Sequence, residues 1–295
     1  MDILITGASG LIGLPTVRRL SREHRVYALA RTMPAEQTEA NVRWLQGDLT
    51  HDWPCVDLPE HVDVIIHLAQ SYRFRDFPAA ASDIFTVNVT STLRLLDYAR
   101  QAGARQFIYA SSGGVYGTGP APFTESQALL GSERLNFYLV TKCCAEALVR
   151  QYAACFITTI LRPFFVYGVA QRPDMLMPRL IDSVRTGRPI TLAGSEGIHL
   201  NPLYYLDCVE VLERCLTLEE SHTLNVAGGE MLTLRQIGEM IGEVVGRQAQ
   251  FIVNPESAGD VVGDTSKLMS LLHYRPRVAF RQGIAHVCHA AHPRL

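Results

Sequence analysis

The feature that most constrains this chain lies in its first twenty residues. An apolar run, Ile3-Leu4-Ile5, leads into Thr6-Gly7-Ala8-Ser9-Gly10-Leu11-Ile12-Gly13, and residues 11–20 then read as an amphipathic helix. A strand that turns into a helix through glycines three apart has the backbone freedom to reverse tightly and the room to pack helix on strand. The same turn aims the unbonded N–H groups of the helix N-terminus at one point, where the pyrophosphate of a dinucleotide binds.

The alternation continues along the chain. Strand-length apolar runs recur at 26–30, 42–45, 64–68, 107–110 and 157–161, several of them continuous, as strands buried on both faces are. Between them, 84–102 and 136–154 read as helices, the first with Phe85, Val89, Leu93 and Leu96 at steps of four, four and three. This order predicts an α/β fold with a doubly wound parallel sheet. After Arg162, Pro163, Pro173, Pro178, Pro189 and Pro202 break the chain into shorter pieces, the expected mark of a second, smaller lobe. The expected division is 1–163 plus 199–228 for a dinucleotide-binding domain and 164–198 plus 229–295 for a substrate-binding lobe. Residues 204–218 and 224–227 are a helix and a strand returned to the sheet.

Charge and cysteine usage narrow the class. Lys plus Arg is 27 against 29 for Asp plus Glu, a formal net charge of −2, which lacks the basic excess of a nucleic-acid binder. No uncharged apolar run has the length of a membrane span, and Met1-Asp2 begins no secretory signal, so a cytoplasmic protein without a membrane partner is expected. Seven scattered cysteines without a C-x-x-C form no disulfide framework. His286, Cys288, His289 and His292 near the end read as a solvated helix edge, and no metal is expected.

Chemistry enters with Tyr138 and Lys142, four apart on a predicted helix and so on one face. An adjacent ammonium and an oxidised nicotinamide both favour the phenolate of such a tyrosine, which can then exchange a proton while hydride moves. Ser112 follows the strand 107–110 at the carboxyl edge of the sheet, where ligands bind in such folds. At the end of the second strand, Arg31 stands where an acid would mark NAD; its planar fork suits a 2′-phosphate and favours NADP. Asp48, in Gly47-Asp48-Leu49, is placed either to accept from an adenine amino group or to cap its own turn.

These residues resemble the extended short-chain dehydrogenase/reductase family of NAD(P)-dependent sugar epimerases, dehydratases and reductases, and the likeness covers nearly the whole chain. It rests on Thr6 to Gly13, Gly47-Asp48-Leu49, His67-Leu68-Ala69, Asn88, Ser111 to Gly117, Tyr138 with Lys142, Arg162-Pro163 with Val166-Tyr167-Gly168, and Asn201 to Asp207. The resemblance implies a Rossmann domain in which Ser112 orients a substrate oxygen, Tyr138 is the acid/base, and Lys142 holds the nicotinamide ribose and lowers the tyrosine pKa. It implies cofactor contacts at Gly7, Gly10, Leu11, Ile12, Gly13, Arg31, Asp48, Leu49, Leu68, Ala69, Gln70, Ala110, Pro163 and Val166. Ser71, Gly113, Phe165 and Arg172 are the candidate substrate residues. A homodimer formed through helices 84–102 and 136–154 is implied as well.

Departures from the family pattern bear on the reaction. Family dehydratases carry Asp-Glu where Gly113-Gly114 stand, and members that epimerise beside a ketone carry a cysteine at Gly114 and a histidine near Ala170. Without those groups hydride transfer alone remains. Relatives that bind nucleotide diphosphate sugars have Asn at Phe165, Arg close to Leu200, and Arg near Ser257-Ala258, so Arg172, Arg179 or Arg235 would have to meet a diphosphate. Phe164, Phe165, Tyr72 and Phe74 offer either a more apolar pocket or plain core. The main expectation is an NADPH-dependent reductase of a keto group on a nucleotide-linked sugar. The alternatives are an NAD(P)-dependent C4 epimerase, a reductase of a non-nucleotide ketone or aldehyde, and a dinucleotide-binding redox sensor without turnover.

Overall fold

The computed structural model describes residues 1–37, 39–51, 57–119, 122–256 and 258–290. Two compact units emerge. The first comprises Met1–Val115, Leu129–Arg162 and Val209–Leu224, and the second Tyr116–Ala128, Pro163–Cys208 and Asn225–Leu295. The segment 116–128 thus groups with the second unit rather than with the residues around it in sequence. Residues 199–208 group there too.

In the first unit β1 (Asp2–Thr6), α1 (Gly13–Leu20), β2 (Arg25–Ala30), β3 (Val42–Gln46) and β4 (Val64–His67) follow in order. A long helical segment comes next, built of α2 (Ala81–Phe85), a π-helical turn (Thr86–Thr90) and α3 (Ser91–Gln101). β5 (Gln106–Ala110), α4 (Phe137–Gln151) and β6 (Ile157–Pro163) complete the pattern. Further along are β7 (Val166–Tyr167), α5 (Leu176–Thr186), β8 (Ile190–Ala193), β9 (His199–Leu200), β10 (Leu203–Tyr204), α6 (Tyr205–Cys215) and β11 (His222–Val226). β12 (Leu232–Thr233), α7 (Leu234–Val245), β13 (Phe251–Asn254), α8 (Ser266–Leu272) and α9 (Phe280–Ala290) end the chain.

The large sheet has the order β11-β6-β5-β4-β1-β2-β3, and every pairing from β6 to β3 is parallel. This is the doubly wound Rossmann arrangement, with its switch point between β1 and β4. Thr6 pairs in register with His67 there, so both strands end side by side. β4 is buried along its whole length, and β1 from Ile3 onward, as a strand covered on both faces requires. β3, at the edge, is half exposed.

The long helical segment corrects the expected stripe. Val89 and Leu96 are buried, but Phe85 is 46% and Leu93 43% exposed, because the buried face runs through Ile84, Asn88, Ser91, Thr92, Leu95 and Ala99. Three of those are polar, so counting apolar residues followed the wrong face. The second unit has its own core, in which Tyr167, Leu180, Ile237, Ile241, Phe280 and Ile284 pack together. Among the described residues no helix is long and apolar enough to cross a membrane.

Candidate active site

The glycine turn closes on itself as its sequence demands. Gly7 has φ +67°, the left-handed region where a side chain is strained, and a Cβ there would stand 2.8 Å from the Ala69 amide. At Gly13 a Cβ would fall 2.1 Å from the Gly7 carbonyl oxygen. α1 begins without a side-chain cap at Ile12 and without an acid in its first turn. Its N-terminal end is therefore left to an anion by every local side chain, which fits the pyrophosphate of a dinucleotide. Leu11 and Ile12 lie in this turn, and Leu68 and Ala69 directly follow the neighbouring strand β4.

His67, at the end of β4, is fully buried between Thr6 Oγ1 at 2.7 Å and Thr92 Oγ1 at 2.9 Å. Thr92 donates its own hydroxyl proton to the Asn88 carbonyl, so it must accept from His67 Nε2–H, which leaves Nδ1 to accept from Thr6. Burial and then the Lys142 charge push the imidazole pKa down to about 3, in keeping with this neutral tautomer. His67 is a structural pin rather than a proton donor.

Tyr138 and Lys142 lie on α4, which Asn136 caps by accepting from the Leu139 amide at 3.0 Å. The Lys142 ammonium is buried, donates to the Ala110 carbonyl at 2.8 Å, and lies 5.8 Å from the Tyr138 ring centroid and 5.1 Å from that of Tyr109. Burial lowers its pKa to about 7, with Glu146 pulling the other way. Burial raises the Tyr138 phenol well above its ordinary value, while a hydrogen bond with Ser112 lowers it. The phenol donates to Gln70 Oε1 at 2.9 Å, and the Phe74 ring packs 5.0 Å from the Tyr138 ring. Ser112 Oγ also accepts from the Gly114 amide at 3.2 Å. The structure thus gathers Ser112, Tyr138, Lys142, Gln70 and Ala110 around one point. Gly113 is buried in the short turn beside them.

Two supporting networks were not visible as such in the sequence. Asn88, buried in the π-helical turn, accepts from the Ser71 amide at 2.9 Å and donates to Thr141 Oγ1 at 2.9 Å. Ser71 Oγ donates to Asp83 and is therefore engaged within the protein. One turn beyond Lys142, the buried Glu146 carboxylate accepts from Ser111 Oγ at 2.6 Å, Arg150 at 2.5 Å, and Arg162 Nε and Nη2 at 3.0 and 2.7 Å. Glu146 repeats the four-residue step of Tyr138 and Lys142, a spacing that could have flagged it.

Asp48 Oδ1 accepts from both the amide and the hydroxyl of Thr50, at 2.9 and 2.8 Å, and so caps its own turn. Burial raises its pKa, but the Thr50 bonds and the Arg31 charge bring it below the ordinary value. Leu49 packs under the first unit's core. Arg31 is exposed, with its guanidinium carbon 5.6 Å from the Tyr72 ring centroid.

Pro163, Phe165, Val166 and Arg172 belong to the second unit. Phe165 has φ +43°, and Val166 pairs with Leu203. Arg172 is held by Asp174 through two bonds, Nε to Oδ1 at 3.0 Å and Nη2 to Oδ2 at 2.9 Å. Arg235 donates to the Ser195 carbonyl and stacks 4.7 Å over Phe251, while Arg179 is exposed. Leu200 is core, and the neighbouring Asn201 binds both backbone groups of Gly263. Asp260 holds the His199 amide and ring nitrogen at 2.8 and 2.9 Å. Ser257 and His292 lie outside the described residues, as Cys288 and His286 do not: the first is buried on α9 and the second faces Tyr204.

Known proteins resemble this chain in sequence and in fold. The uncharacterised UDP-glucose epimerase YtcB of Bacillus subtilis (strain 168) is 30% identical over 96% of either chain. A probable UDP-glucuronate 4-epimerase of Rhizobium meliloti (strain 1021) is 27% identical over 97% of this chain and 95% of its own. Among solved structures, a mutant UDP-glucuronic acid 4-epimerase from Bacillus cereus, in complex with UDP-4-deoxy-4-fluoro-glucuronic acid and NAD, is 25% identical and matches with a TM-score of 0.82 over 97% of this chain and 98% of that one. A sequence model of the NAD dependent epimerase/dehydratase family matches residues 3–227, and with the glycine turn, Tyr138 and Lys142 in place this chain belongs to that enzyme family.

Proposed function

We propose that this chain is an NAD-dependent C4 epimerase of a UDP-linked sugar, with UDP-glucuronate the first candidate. One observation carries the reading: next to Ser112, Tyr138 and Lys142 the turn offers only Gly113 and Gly114, and the Leu139 side chain fills the space above the latter. A Cβ at Gly114 would stand 2.9 Å from Leu139 Cδ2. Among the described residues of this turn no carboxylate stands beside Tyr138 to act as a second acid or base for eliminating water, which suits a reaction that removes and restores the same hydrogen. NAD in relatives solved with UDP-sugars supports the cofactor and the nucleotide carried by the substrate, and favours the epimerase over the reductase expected from Arg31.

Gly7, Gly10 and Gly13 with the N-terminal end of α1 would hold NAD, which would supply reversible hydride transfer at the sugar carbon. The protein handles the proton. Tyr138 as phenolate takes the proton of the sugar hydroxyl, and as phenol gives it back to the same oxygen. Ser112 orients that oxygen, and the Lys142 ammonium offsets the negative charge left on the phenol. Phe165 and Arg172 are proposed substrate contacts from the second lobe. A second copy of the chain is proposed to cover Phe85 and Leu93, two apolar residues two turns apart on one exposed helix face.

The test is conversion of UDP-glucuronate to UDP-galacturonate by the purified chain with catalytic NAD and no added reductant, followed by proton NMR. Turnover that requires stoichiometric NADPH and yields a reduced product would overturn the epimerase reading in favour of a reductase. UDP-glucose is the parallel substrate.

A further inference from the structure

Gln70, three residues past the end of β4, brings its polar end to the hydroxyl of Tyr138. Its backbone is fixed from both sides, since the Ala69 amide donates to Thr6 Oγ1 at 3.3 Å and the Ser71 amide to Asn88 Oδ1 at 2.9 Å. Asn88 in turn donates to Thr141 Oγ1 at 2.9 Å, and Thr141 donates to the Tyr138 carbonyl at 2.7 Å. The fourth bond, from the Tyr138 hydroxyl to Gln70 Oε1 at 2.9 Å, closes a ring. Backbone and side chain of both residues are thereby held in one frame that ties the end of β4 to the start of α4. Gln70 is an exposed residue, so its carboxamide can turn about its last bond while the other three bonds of that frame stay in place.

We propose that Gln70 is a positioning residue that partners Tyr138 in both protonation states, accepting from the phenol through Oε1 and, once turned over, donating Nε2–H to the phenolate. This rests on the reading of Tyr138 as the acid/base. A carboxamide carries an acceptor and a donor on one plane, whereas an ionised carboxylate only accepts and a methyl does neither. When the phenolic O–H bond breaks and the proton passes to the sugar oxygen, the remaining anion would face the Gln70 carbonyl oxygen; rotation exchanges that repulsion for a charge-assisted bond. The other groups that face Tyr138 are Ser112 after β5, Lys142 one turn along α4, Tyr109 on β5, and Phe74 with Arg75 stacked 5.3 Å over it. His67 and Glu146 act on this centre through Lys142 and Tyr109. Of these, only Gln70 can change from acceptor to donor while staying within the ring of four bonds.

The test measures the ionisation of Tyr138 itself. The full chain is prepared with 3,5-difluorotyrosine, whose more acidic phenol brings the titration into reach, and the Tyr138 fluorine resonance is assigned by its loss in Tyr138→Phe. Titrations are run with and without NAD for the parent, Gln70→Ala and Gln70→Glu. Loss of the phenolate bond in Gln70→Ala should raise the Tyr138 pKa by about one unit, the excess of a charged over a neutral hydrogen bond. Gln70→Glu, which accepts but cannot donate when ionised, should raise it further. An unchanged pKa in both variants, or a fall in Gln70→Ala, overturns the proposal, the fall meaning that Gln70 only holds the phenol protonated. No sugar is present, so absence of epimerisation in the UDP-glucuronate assay would count against the proposed reaction and leave this result standing.

Discussion

Around Tyr138 and Lys142 polar side chains converge, whereas in the second lobe Arg172 and Arg235, two of the residues expected to meet a diphosphate, are already engaged with their neighbours. In the first region the Lys142 ammonium, the Tyr138 hydroxyl and Ser112 approach one point, and buried Asn88 and Glu146 brace the helix that carries two of them. In the second, Arg172 is taken by Asp174, Arg235 by Ser195 and Phe251, and Asn201 by Gly263. The chemistry is built into a frame that tolerates little change. Recognition is left to Arg172 and Arg235, whose pairings are partly exposed and can be exchanged at small cost.

The largest expected effect breaks the first region alone. Tyr138→Phe removes the transferable proton and one exposed hydrogen bond but keeps the ring against Phe74, so turnover should fall by ~10²–10⁴-fold with the melting temperature nearly unchanged. NMR turnover and circular dichroism check both halves. A residual rate within a factor of about three of the parent would remove Tyr138 from the mechanism.

Glu146→Ala should act on the frame instead. It strands the buried Arg162 guanidinium, and loss of one partner from a buried pair costs ~3–5 kcal/mol, measurable by urea unfolding. Burial raises the Glu146 pKa, but Arg162, Ser111 and Arg150 together bring it below the ordinary value. The stability it contributes is therefore fully present above the usual glutamate pKa of about 4.3 and is lost as pH falls through the lower folded value. The parent should unfold more readily as pH drops through that window, and the variant should show a flatter curve. Equal slopes would mean that Glu146 is not the group being titrated.

Much of the first region was legible in the sequence, and the reasons are local. Gly7 and Gly13 sit where a turn needs them, and Tyr138 and Lys142 share a face at the four-residue step. What escaped depends on long-range pairing. Asn88, Ser91 and Thr92 form the buried stripe of a helix whose apolar residues Phe85 and Leu93 point elsewhere, so a count of hydrophobic residues found the helix and missed its face. Gln70 reaches Tyr138 across 68 positions, and Glu146 reaches Arg162 across 16. Segment 116–128 groups with the second unit through bonds such as the Phe123 amide to the Val262 carbonyl at 2.7 Å, which no local pattern announces.

The second region is sharpened by a pair of variants. If Arg172 serves the substrate's phosphates, Arg172→Ala should raise the Michaelis constant for a UDP-sugar several-fold. Asp174→Asn, which frees the guanidinium, should lower it, by about fivefold at most, since the pair it breaks is partly exposed and worth ~1 kcal/mol or less. The constant for NAD should stay unchanged in both. Parallel shifts for NAD and UDP-sugar would point to a fold defect instead of a lost phosphate contact.

The smallest effect is expected at Arg31, and it tests whether the adenosine end belongs with the rigid chemistry or the adaptable recognition. Its guanidinium is exposed and lies over the Tyr72 ring, an interaction worth ~0.5–1 kcal/mol at such a site. Asp48, the other polar group there, has its Oδ1 bound to Thr50 and does not depend on Arg31 for its position. If NAD is the cofactor, Arg31→Ala should change its dissociation constant by less than about fivefold, the ceiling set by that stacking energy. Affinity for NADP should fall more, because only NADP offers Arg31 a 2′-phosphate. Fluorescence titration of NADH and NADPH against parent and variant decides it. A parent that binds NADPH the more tightly, and loses that preference in the variant, would make Arg31 a built phosphate contact and restore the reductase in place of the epimerase.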